Sequence, residues 1–352
     1  MRFRVLIGAP STNSKGELKP RRCSPHALHF LAAFMLLAGG QVQAAEPVFL
    51  ELEAKIPLGD VKGRIDHFAT DANRQRLFVA ELGNNSVGVI DLKAQKVIRT
   101  IAGLKEPQGV GYVPSTDTLY VSNAGDGSVH LFEGADLSPG GRIELGDDAD
   151  NIRVDMQAHR VFIGYGNGAL AVIDPASRAK VADIPLKAHP ESFELDGANG
   201  RIFVNVPDAG HIAVIDVALG RQAATWPVRD ARANFPMAFD NETMRVLVAF
   251  RKPAKLMVFG GQDGNVAATL EICGDADDLF VDSKRHRLYV SCGEGVVDVF
   301  EQRGSGYARA GRVPTVSGAR TSLLVPEMDR LFVAVRATSS EPAAVWILRP
   351  IP

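Results

Sequence analysis

The segment RLFVA at 76–80 decides the reading of this chain, because it returns with the same shape six more times. The copies are TLYVS (118–122), RVFIG (160–164), RIFVN (201–205), RVLVA (245–249), RLYVS (287–291) and RLFVA (330–334). Successive copies begin 42, 42, 41, 44, 42 and 43 residues apart. Each is preceded by a short apolar run ending near Asp71, Pro114, Asp155, Asp196, Asp240, Asp282 or Pro326. Each is followed by a third run, such as SVGVID (86–91), ALAVID (169–174), HIAVID (211–216) or AKLMVF (254–259), and then by a fourth, such as KVIRTI (96–101). Short runs rich in Val, Ile, Phe and Tyr, separated by Gly, Asn, Asp and Pro, are β-strands.

Four strands per period of about 42 residues, repeated seven times, predict an all-β protein: a seven-bladed β-propeller with four-stranded antiparallel blades. The last unit has only three strands of its own. Residues 49–58 (FLELEAKIPL) align with the strand that ends every other unit, so the N-terminal strand is expected to close the last blade and remove an open sheet edge.

The flanking sequence bounds the compartment. A basic start (Arg2, Arg4, Lys15, Lys19, Arg21, Arg22) leads into an apolar segment over 27–40 and then into Val42-Gln43-Ala44-Ala45. This is the plan of a secretory signal peptide, with cleavage after Ala44 or Ala45; the alternative, a membrane anchor, has too few apolar residues to span comfortably. The expected organisation is a cleaved leader over 1–45 and one propeller domain over 46–352, periplasmic or secreted, with no transmembrane segment after cleavage and a monomeric state. Arg21-Arg22 leaves the choice between general and twin-arginine export open. Cleavage after Ala44 takes the chain from 39 basic and 41 acidic residues to 33 and 40, a net charge of about −7, which disfavours nucleic acid as a partner. Cys273 and Cys292 alone survive cleavage, and an even pair in an oxidising compartment points to a disulfide.

The RLFVA/TLYVS strands, the xVxVID strands and the Gly-Asn and Gly-Asp turns between them resemble the YVTN-repeat β-propellers, the YncE-like group of exported bacterial proteins. The resemblance covers residues 49–349. It implies the propeller fold and an envelope role, DNA binding having been proposed for some members, and it carries no shared catalytic motif.

Superposing the repeats places one set of polar residues at the start of the innermost strand of every blade, where a closed ring turns them toward its axis. They are Asp66 and His67, Gln108, Asp150 and Asn151, Glu191 and Ser192, Asn234, Asp277 and Asp278, and Arg320 with Thr321. Asp148, His189 and Asp275 lie just upstream, and the triplets Asp148-Ala149-Asp150 and Asp275-Ala276-Asp277 are equivalent, three repeats apart. A wet channel mouth with Asp and Asn turns explains such residues without function. Against that stands the number of carboxylates, which repel unless a cation or arginine lies among them, and Arg320 offsets only part. A divalent cation could be held by Asp66, His67, Asp150, Glu191, Asp277 and Asp278. Arg251 and Lys252 fall on the same face, where the other blades offer acids or amides, and can serve an anionic group or remain an ordinary exposed pair. A disulfide between Cys273 and Cys292 would hold the 275–278 loop in place.

These residues suit a non-catalytic protein that binds a small molecule, a metal ion or a partner protein of the cell envelope at its channel mouth. The same set suits a metal-dependent, lactonase-like hydrolase with Glu191, Asp66 or His67 as base. Binding is the preferred reading, since no GxSxG, HExxH or Cys-His arrangement is present and fold alone carries no reaction.

Overall fold

The computed structural model describes residues 48–352, and the expected leader over 1–45 lies outside them. Seven antiparallel four-stranded sheets follow one another along the chain. In blade 1 the strands are Phe68–Asp71, Arg76–Glu81, Ser86–Asp91 and Lys96–Ala102, ordered from the axis outward. Blades 2 to 6 repeat this order. Blade 7 is assembled from both ends of the chain: Ser322–Val325, Arg330–Val335 and Ala344–Pro350 are completed by Leu50–Pro57, whose Leu50 pairs with Pro350 and whose Pro57 pairs with Ala344. No helix among the described residues is long and apolar enough to cross a membrane.

Burial explains why the second strand carried the clearest sequence signal. It lies mid-sheet with a neighbouring blade on each face, so Leu77, Phe78 and Val79 are all fully buried, and the same holds for Leu331 to Val333 within about one per cent. Seven apolar clusters fill the gaps between adjacent blades; one joins Phe78 and Val89 of blade 1 to Val110 and Leu119 of blade 2, and another joins Ile56 and Val345 of blade 7 to Phe68 and Leu77 of blade 1. The outermost strands face water, as in Lys96–Ala102, where only Ile101 is buried. In all seven blades this strand meets its neighbour with a register shift. Such bulges twist an edge away from flat pairing and oppose sheet-to-sheet association.

Four of the seven innermost strands, in blades 2, 3, 5 and 6, are also irregular, each time at the mouth. Their pairing with the second strand shifts between Pro107 and Val110, Ala149 and Ile152, Asn234 and Met237, and Ala276 and Asp278. A bulge re-aims the side chains it contains. Here those include Gln108, Asp150, Asn151 and Asp277, the residues that the repeat register assigned to the opening.

Candidate functional site

All seven blades contribute polar side chains that interact across one end of the channel. Asp66 is buried, with Arg64 Nη2 2.7 Å from its Oδ2 and His67 Nε2 3.7 Å from its Oδ1. His67 reaches blade 3 as well, its Nε2 lying 3.9 Å from Asp150 Oδ1. On the other side of Asp150, His189 of blade 4 places Nε2 3.9 Å from Oδ2, while its Nδ1 is 2.7 Å from the Gly166 carbonyl and 3.5 Å from Asp148 Oδ2. Gln108 of blade 2 accepts a 3.4 Å hydrogen bond from Arg64 Nη2. The close approach of blades 2 and 3 depends on Gly109, where a Cβ would lie 2.1 Å from the Asp150 carbonyl oxygen. Any other residue there would displace Asp150.

Blade 6 is gripped by arginines from both neighbours. Arg320 donates two 2.8 Å bonds to the Asp275 carboxylate and sets Nε 3.0 Å from Asp277 Oδ2. Arg251 pairs with Asp277 and, at 3.2 Å, with Asp275, while its guanidinium lies 4.2 Å from the centre of the Phe235 ring. Asp278 accepts a 2.6 Å bond from the Ser322 backbone. The loop carrying these acids is stapled beneath by the Cys273–Cys292 disulfide, whose Cα atoms are 5.9 Å apart. The Asp275 side chain rests against Gly293, where a Cβ would meet its Oδ2 at 2.2 Å.

The charge balance differs from the one read in the sequence. Arg64 and Arg336 were not singled out there, yet Arg64 faces Asp66, and Arg336 is close enough to Arg320, Arg64, Asp277 and Asp66 to feel all four. Arg251 is not an exposed pair with Lys252; it is an internal counter-ion for Asp277. Asn234 is buried and donates to Asn205 Oδ1 at 3.0 Å, tying blade 5 to blade 4. Below the opening, Arg153 bonds to Ser192 and Glu194 at 3.3 Å each within the channel. Arginine at loop positions outside the repeat register gives no periodic signal, which is why these partners were missed.

Burial and crowding leave the groups unequally protonated. Burial pushes Asp66 up to about 6, with His67 and Arg64 opposing and Asp150 adding. Burial also raises Asp278 to about 7, offset by His67 and reinforced by Asp277. Glu191 is raised to about 7 by burial and by the Asp150 charge. The histidines move the other way: burial disfavours their charge, but Asp150, the Gly166 carbonyl and Asp148 hold His189 protonated up to about 9, and Asp66, Asp150 and Asp278 raise His67. Asp150 itself, despite burial, is held ionised by the His189 contact and by His67. The His189 imidazole is thus held as a cation between Asp148 and Asp150, and the acids around His67 favour its charged form. Among the described residues no group of three or more His, Cys, Asp or Glu is arranged to hold a metal ion.

The fold and this mouth define the class: a seven-bladed β-propeller with a polar, charge-matched channel opening. No family model matches the chain, and no curated protein does. Solved structures share its fold. A chain of Kuenenia stuttgartiensis hydrazine synthase has a TM-score of 0.73 at 18% identity, over 88% of this chain and 98% of that one. A chain of a mitotic checkpoint complex has a TM-score of 0.73 at 13% identity, over 91% of this chain and 99% of the other. At these identities the likeness is one of fold.

Proposed function

We propose that this protein is an exported, non-catalytic propeller that binds a small polar ligand at the mouth of its channel. The observation that carries this reading is a set of buried polar atoms at one opening with no hydrogen-bond partner among the described residues: Asp150 Oδ1, Asn151 Oδ1 and Arg336 Nη2. A buried acceptor or donor left unmatched costs about 1–3 kcal/mol, so a ligand that satisfies several at once gains that energy back. The leader over 1–45, the disulfide and the resemblance to exported YVTN-repeat propellers support an oxidising, extracytoplasmic setting.

The test follows the two histidines, which lie between the acids and report on the opening. Imidazole NMR signals of His67 and His189 should shift together when a bound compound is found in a small-molecule screen of the mature protein, and Asp150→Asn should weaken that binding. Compounds that bind while leaving both imidazoles unmoved would place the function elsewhere. Hydrolysis is the second reading, favoured by Glu191, a carboxyl without a partner that burial has brought to about 7, where a general base works best. Turnover of an ester or lactone that is lost in Glu191→Gln would establish it in place of binding alone.

A further inference from the structure

Beside the channel opening lies a cavity of about 670 Å³ whose two walls differ in sign. Blades 3 and 4 line it with Asp148, His189, Glu191 and Asp208, and blade 5 lines it with Arg232, Phe235 and Lys252. This volume falls in the range that encloses a small organic molecule.

The acidic and basic walls do not neutralise one another. The charge of His189 is taken up by Asp148 and Asp150, which leaves Glu191 without an ion-pair partner among the described residues. Arg232 and Lys252 likewise have no carboxylate partner there. They stand directly opposite each other across the first two strands of blade 5. Like charges in that position repel. The backbone is held in this arrangement: Ala233 keeps a left-handed conformation at φ 57°, Asn234 is bonded to Asn205, and Phe235 lies beneath the Arg251 guanidinium. The residues between the basic pair are therefore fixed, while Arg232 and Lys252 themselves are exposed, their repulsion is screened by solvent, and neither makes an ion pair with a carboxylate among the described residues.

We infer that this cavity takes a zwitterionic ligand of short-peptide size, its carboxylate bridging Arg232 and Lys252 and its ammonium meeting Glu191. One anion placed between the two cations removes their repulsion and makes charge-assisted hydrogen bonds with both. An arriving ammonium stabilises the ionised form of Glu191, a carboxyl otherwise half-protonated near neutral pH because of burial. Phe235 offers an apolar surface to whatever separates the two charges. The inference rests on the reading that the mouth binds a ligand and adds the chemistry of that ligand.

The experiment is calorimetric titration of the mature protein with trialanine, with N-acetyl-trialanine and with trialanine amide. Free trialanine should bind, and blocking either end should weaken it by about tenfold or more, the loss of one charge-assisted contact. In the Arg232→Ala/Lys252→Ala variant, trialanine and its amide should bind alike. In Glu191→Gln, trialanine and its N-acetyl form should bind alike. Both variants alter exposed or half-buried side chains, and a parent-like circular-dichroism spectrum with cooperative unfolding verifies their folding. Equal binding of all three probes to the parent protein, or of none, overturns the inference. If the acetylated probe binds as well as the parent peptide while shifting His189, the ligand is a simple anion: the zwitterion assignment fails and the binding mouth stands.

Discussion

Raising the pH should destabilise this protein through its mouth, and Asp278 is the residue on which that expectation is sharpest. Its carboxyl is raised from 3.8 to about 7. Between those two values the folded state holds a proton that the unfolded chain releases, so stability is fullest below pH 3.8 as far as this group is concerned and falls as pH rises toward 7. A difference of roughly three pH units, at about 1.4 kcal/mol each, makes the loss on the order of 4 kcal/mol. Asp278→Asn has nearly the same shape, keeps a carbonyl oxygen for the Ser322 amide and cannot ionise. At about pH 8 the variant should be more stable than the parent by about 2–4 kcal/mol, and at about pH 4 the two should agree within about 1 kcal/mol. Urea denaturation followed by circular dichroism at both pH values measures this directly. Parallel pH profiles for the two proteins would refute the argument, because they would mean that Asp278 ionises in the folded state as freely as in water.

Three further outcomes follow from features at the mouth and at ring closure. The His189 imidazole should titrate near 9 by NMR and move toward its ordinary range in Asp150→Asn; its contribution to stability is complete below 6.5 and disappears as pH rises through about 9. A value near 6.5 in the parent protein would remove the Asp148–His189–Asp150 chain from the account. Replacing Cys273 and Cys292 with Ala opens a 19-residue separation and should cost about 3 kcal/mol in chemical denaturation, whereas a loss near zero would show that the loop is held without the bond. Deleting residues 48–58 exposes the pockets of Phe49, Leu50, Ile56 and Leu58, on the order of 6–12 kcal/mol of apolar burial, and should yield oligomers by size exclusion with light scattering. A monomer with an unchanged thermal midpoint would contradict the role given to that strand.

The fold was legible because each blade repeats one physical problem. A mid-sheet strand covered on both faces must be apolar throughout, and RLFVA or RLYVS states this seven times; the outermost strand, solvated on one side, is more varied and was found by position. The candidate site was legible in membership and not in balance. Repeat register placed Asp66, His67, Asp148, Asp150, His189, Glu191, Arg251, Asp275, Asp277, Asp278 and Arg320 at one opening, where ion pairs connect all of them except Glu191 and Asp278, which feel the charges of the others without an ion pair among the described residues. Which acid meets which base depends on side-chain reach across blade boundaries, and no repeat encodes that. Arg64 and Arg336 entered only through such reach, and Asn234 turned inward because Asn205 of the next blade lies within hydrogen-bond distance.

The composite seventh blade bears on how the molecule comes to be made. Leu50–Pro57 leaves the ribosome nearly 300 residues before Ala344–Pro350, the strand it must join, and all of blades 1 to 6 lie between them. Until then blades 1 to 6 form an open arc with unsatisfied faces at both ends, the side of blade 1 that will pack on Val345 and Ile347 and the side of blade 6 that will pack on Leu331 and Val333. Contacts between the two ends of a chain are the slowest to form and leave apolar surface exposed in the interval. Until Ala344–Pro350 is made the ring is a sticky, unclosed intermediate with one particular gap to be shielded, the seam that Leu50–Pro57 and Ala344–Pro350 will close.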